Sequence, residues 1–183
     1  MYSRRDVLRL LGGVCAIGAL TPDQLLAVSR RTHRQLALGG PSLGFFDMHQ
    51  MHTVAAACDR IIPDTETPGA RVAECHRFAE RIVADHYPVV RQRRFLDGLV
   101  DLDVRSGRAV QHLFVDGAAA EQDAILTAVE LDAAGVSGGT FWRDLKELTL
   151  IGYYTSRIGI EEELEVDFFP GRFDGSAPIE GGR

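Results

Sequence analysis

From Phe45 onward, apolar residues recur at helical spacing, and no segment alternates strictly between apolar and polar, so the chain is predicted to be all-α. Val54, Cys58, Ile61 and Ile62 mark a first helix. It stops at Pro63-Asp64-Thr65-Glu66-Thr67-Pro68-Gly69-Ala70, where two prolines and short polar side chains break the pattern. Val72, Cys75, Ala79, Ile82 and Val83 predict a second helix bounded by Pro88, and Phe95, Leu99 and Leu102 a third closed by Ser106-Gly107. A fourth starts near Ala119, with Ile125, Ala128, Val129 and Ala133 on one side and Gly135 at its end.

The fifth predicted helix runs from Phe141 to Ile158. Phe141, Leu145, Leu148, Gly152 and Thr155 line one face, while Trp142, Leu150, Tyr153 and Tyr154 populate others. A helix apolar nearly all round has to be covered on more than one side. Either it is the central helix of the bundle or one of its faces meets a partner chain. Beyond Glu161-Glu162-Glu163 the chain changes character, placing Phe168, Phe169 and Phe173 in a segment rich in Pro and Gly. Such rings pack either on the bundle or on another protein.

The N-terminus has its own logic. Ser3-Arg4-Arg5-Asp6-Val7-Leu8-Arg9 precedes a short apolar run diluted by Gly12, Gly13 and Gly18, below the roughly 18–20 residues that a spanning helix needs. Paired arginines before a modest apolar stretch are the pattern of the twin-arginine pathway, which exports folded cargo, so Arg4 and Arg5 are the candidate export signal. Val14 occupies the position before Cys15 where lipidation wants a small residue, and the nearest approach to a cleavage site is Leu25-Leu26-Ala27. The expected organisation is a signal segment over 1–27, a linker or arm over 28–44, a helical domain of about five helices over 45–166 and an irregular aromatic tail over 167–183.

Composition narrows the function classes. The apolar fraction of 45% supports a real core, and the net charge of −6 becomes more negative without residues 1–27, leaving no basic footprint for nucleic acid. Lys146 is the single lysine. Glycine pairs at Gly39-Gly40 and Gly138-Gly139 follow loops rather than a buried strand, so the chain is not expected to bind FAD or NAD itself. No G-x-S-x-G elbow occurs, and no histidine follows a glutamate by three residues as a di-iron bundle requires. The remaining metal candidate is Asp47, His49, His52 and Cys58, for which ordinary hydrogen-bonded histidines are the stronger account. Asp64 and Glu66 are better explained by loop and cap chemistry than as an acid pair. Cys58 and Cys75 are either buried free thiols or a bridge between neighbouring helices, with free thiols favoured.

Three separated stretches resemble the gluconate 2-dehydrogenase subunit 3 family: Ile61 to Ala70, Phe141 to Ser156, and Pro170-Gly171-Arg172-Phe173-Asp174-Gly175. The resemblance implies a non-catalytic small subunit without cofactor or metal of its own. Its implied partner is a large FAD-dependent dehydrogenase of the glucose–methanol–choline type acting on a sugar, sugar acid or polyol, often with a cytochrome c subunit that carries haem. It further implies a periplasmic complex held at the membrane, with the small subunit assisting folding, stability and twin-arginine export of the flavin subunit. Candidate contacts to that partner are Trp142, Tyr153, Tyr154, Phe168, Phe169 and Phe173, with Arg157 and Arg172 on the rim. The competing classes are an independent helical scaffold or ligand-binding bundle and a metal-dependent helical enzyme.

Overall fold

The computed structural model describes residues 22–39, 43–134 and 140–164. Arg4 and Arg5, and Phe168, Phe169, Arg172 and Phe173, lie outside the described residues. The described chain is all-α, with six α-helices: α1 (Pro22–Ala37), α2 (Met48–Ile61), α3 (Cys75–His86), α4 (Val89–Val110), α5 (Ala119–Ala134) and α6 (Phe141–Tyr154). A 3-10 turn at Phe114–Asp116 links α4 to α5, and a π-turn at Gly159–Glu163 follows α6.

The last of these helices is the central one. Ten of its fourteen residues are buried, and it packs against α2, α3, α4 and α5. Two glycines permit this closeness. A Cβ at Gly152 would come within 2.9 Å of the Phe78 ring, and one at Gly98 on α4 would collide with the ring of Phe141. Thr140 caps the helix start by accepting from Arg143 N. The helix ends at Tyr154 rather than Ile158 because two hydroxyls compete for its last carbonyls: Thr155 Oγ1 donates to Ile151 O and Ser156 Oγ to Tyr153 O, each at 2.6 Å.

The inner layer is completed by α2, whose six consecutive residues Thr53–Cys58 are buried. Its start is fixed by a capping box between Asp47 and Gln50. The fourth helix runs through Ser106–Gly107 instead of closing there. Ser106 is fully buried on the core side, Gly107 faces open space, and the chain turns at Gln111, whose φ is +63°. Val72 lies in the turn before α3 and is exposed, as is Ala128 on α5.

The segment expected as a linker holds much of α1, which also crosses the expected boundary at residue 27. Leu25, Ser29, Thr32 and Leu36 recur at helical spacing and are buried, and the helix lies on α3. His33 fastens it. The imidazole stacks on Phe78 with centroids 4.9 Å apart, and Nε2 lies 3.0 Å from Thr155 Oγ1. The same Thr155 hydroxyl lies 2.6 Å from Ile151 O, so His33 is tied to the last turn of α6 through a side chain that is itself anchored on the helix backbone. The next stretch, Leu43 to Phe46, is anchored by Glu80, a buried carboxylate that accepts from Leu43 N (3.3 Å), Phe45 N (3.1 Å) and Phe46 N (3.2 Å). Backbone donors replace the water that burial removes from the charge.

Burial lowers the His33 pKa from 6.5 to about 4. A histidine that resists protonation when folded stabilises the protein fully above its unfolded pKa, and that contribution is lost as pH falls from 6.5 through about 4. The melting temperature of the wild type is therefore expected to fall more steeply across this window than that of His33→Gln. Parallel pH profiles for the two proteins would remove His33 as the cause.

Candidate partner interface

The loop Pro63–Ala70 is built as a closed unit. Ala70 N donates to Ile62 O at 2.8 Å, Thr65 N to Thr67 O at 3.1 Å, and Gly69 N to the Asp64 carboxylate. A Cβ at Gly69 would lie 2.6 Å from Pro63 C and 2.7 Å from Asp64 N, so the loop closes only around glycine. Asp64 is thus a turn-forming residue. Two outside contacts hold the loop to the end of α6 and to the π-turn after it: Tyr153 Oη donates to Pro68 O at 2.8 Å, and Thr67 Oγ1 donates to Glu163 Oε2 at 2.6 Å. Two sequence stretches more than eighty residues apart therefore form one structure.

At the other end of α6, Asp144 is 1% exposed and is held by two arginines. Arg91 reaches it through Nη2 at 2.8 Å and Nε at 3.2 Å, and Arg94 through Nη2 at 2.9 Å. The Arg91 guanidinium also lies 3.9 Å above the ring of Tyr87, a cation–π contact. Burial, reinforced by the Asp144 charge, pushes the Tyr87 phenol well above its usual range.

The four residues of the metal candidate are used separately. Asp47 caps α2, His49 lies 2.6 Å from Asp103 Oδ2, His52 is exposed, and Cys58 Sγ lies 3.2 Å from Thr149 Oγ1. Among the described residues no group of three or more His, Cys, Asp or Glu side chains is placed to hold a metal ion. Cys58 and Cys75 are buried free thiols, and burial raises both pKa values, that of Cys58 to about 12.

Of the residues expected at a partner contact, Trp142 (6% exposed) and Tyr153 (1%) lie in the chain's own core. Trp142 sits beneath the Lys146 ammonium, and Tyr153 is the loop clamp. Tyr154 is half-buried, edge-on to Tyr153, and Arg157 is well exposed, paired with Glu161 at 3.1 Å. A feature that periodicity had not marked is an apolar groove of about 570 Å³ between the C-terminal part of α4 and α5, lined by Arg105, Arg108, Ala109, Val110, Ala120, Glu121, Ala124, Ile125 and Ala128.

These features define a single all-α domain in which the distinctive sequence stretches serve to close a loop and seat a central helix. Residues 48–171 match the family described as gluconate 2-dehydrogenase subunit 3, and the chain belongs to that family of small subunits of dehydrogenase complexes. Membership implies dehydrogenase partner subunits. Comparison with curated proteins and with solved structures returned no match.

Two outcomes follow from the internal contacts. Asp144→Ala leaves Arg91 without its buried counter-charge and is expected to cost about 3–5 kcal/mol, read as a shift of the urea midpoint at constant slope. A loss below about 1 kcal/mol would assign the pair to a solvated surface bridge instead. Tyr153→Phe removes one hydrogen bond, about 1 kcal/mol, and should accelerate amide exchange at Thr65 and Ala70. Unchanged exchange there would show that the loop holds itself closed without the clamp.

Proposed function

We propose that this chain is the non-catalytic small subunit of an exported FAD-dependent dehydrogenase complex of the glucose–methanol–choline type, acting on a sugar, sugar acid or polyol. Its role is to assist the folding, stability and twin-arginine export of the flavin-carrying subunit. A cytochrome c subunit bearing haem completes the electron path to the membrane, and the assembly works on the periplasmic side. The single observation that carries the reading is the family match over residues 48–171, which extends across the closed loop and the central helix. The use of buried polar groups supports it. Asp144, Glu80 and His33 each neutralise or seat a neighbouring element, a pattern that suits a scaffold.

Flavin is inserted before export, so the loaded partner must cross folded, and the arginine pair Arg4-Arg5 is the element suited to direct that route. Leu25 and Ser29 of α1 belong to the core, and processing after Ala27 would remove part of that packing. Processing on the N-terminal side of Leu25 would leave that packing intact. Partner contacts are proposed through Tyr154, Arg157 and the tail residues Phe168, Phe169, Arg172 and Phe173.

Replacing Arg4 and Arg5 together with lysine is expected to strand both this chain and the flavin-dependent activity in the cytoplasm, measured by fractionation. Normal export of the double variant would refute the signal assignment. The mass of the exported wild-type chain locates its N-terminus in the same experiment.

A further inference from the structure

The fifth helix has the wrong outer face for a surface helix. Its buried arc, Gln122, Ile125, Leu126, Val129 and Ala133, packs on the core. Directly opposite, Ala120, Ala124, Thr127, Leu131 and Ala134 are all exposed, and Leu131 is 71% exposed. Their spacing of four, three, four and three residues is the seam of a helix that packs along another helix. The charges of α5 lie on its flanks and are already engaged within the chain. Asp123 pairs with Arg60 of α2, Glu130 with Lys146 of α6, Asp132 with Arg105 of α4, and Glu121 accepts from Ala118 N. They frame a strip one helix wide. On the α4 side the strip opens into the groove, whose rim carries Arg108, a guanidinium with no ion pair among the described residues.

Resting on the reading of the chain as a partner-bound subunit, we infer that this strip and groove receive one α-helix of the dehydrogenase subunit. That helix presents large apolar side chains at heptad positions and a carboxylate to Arg108. The small residues of the strip let two helices approach closely, and the open groove beside them has room for large side chains from the other helix. A second copy of this chain would oppose alanine to alanine and leave the groove unfilled. An anionic membrane surface is disfavoured by the acidic flanks.

The test uses the full chain expressed with its complex. A photo-crosslinking residue at position 124 or 131 is expected to join one helical stretch of the flavin-bearing chain, identified by peptide mass. Ala124→Glu and Leu131→Glu should weaken the complex on the order of a hundredfold while leaving the melting temperature of the isolated chain unchanged. Val90→Glu, on an exposed position of α4 away from the strip, should bind as wild type. Crosslinks to a second copy, or to this chain's own residues 165–183, overturn the inference, as do undiminished affinities for the glutamate variants. If crosslinks and variants fail while the wild type still purifies with the flavin chain, the surface alone is refuted. If the wild type brings down no dehydrogenase subunit, the subunit reading falls with it.

Discussion

A helix with ten of fourteen residues out of solvent keeps only the stripe of Arg143, Lys146, Leu150 and Tyr154 uncovered, so four other helices have to be arranged around the rest of it. That constraint sets the architecture. The fit at Gly152 and Gly98 depends on the absence of a side chain, because Phe78 and Phe141 occupy the space a Cβ would take. The same helix holds two distant features at its ends. Asp144 near its start binds the arginines of α4, and Tyr153 near its finish binds the closed loop after α2. Displacing α6 would therefore disturb core, ion pairs and loop together, as expected of one cooperative unit.

The chain made some of this legible and hid the rest for identifiable reasons. The five helices from Met48 to Tyr154 follow from periodicity, because most of their core positions are apolar. The first helix escaped because two of its core positions, Ser29 and Thr32, are polar, and Arg30, Arg31 and Arg34 make the stretch look like a solvated arm. Serine and glycine at 106–107 suggested a stop, but Ser106 is buried within a helix that continues for three residues past Gly107. Glu80 carried no signal at all, since its partners are backbone donors available anywhere in a sequence. Trp142 and Tyr153 are the opposite case: aromatic residues on several faces of a helix looked available to a partner, and both are buried within the chain itself.

The contrast between α5 and α6 bears on how a small helical chain can be stable while one of its helices keeps an uncharged strip exposed. Both helices are apolar on more than one side. One is covered by its own chain on all but a narrow stripe, whereas the other directs its charged side chains sideways to neighbouring helices and leaves its outer strip uncharged. The buried arc of Ile125, Leu126, Val129 and Ala133 seats α5 on the core whatever lies over the strip. Rigidity before contact reduces the entropy lost in forming a contact.

The buried thiols carry a consequence of their own. Burial raises the Cys58 pKa to about 12, which keeps the sulfur a thiol at neutral pH, whereas the thiolate is the form that attacks disulfides and metals. Cys75 is buried and shifted in the same direction. Sealed in the core as thiols, Cys58 and Cys75 are withheld from sulfur exchange with other molecules as long as the helices around them stay folded.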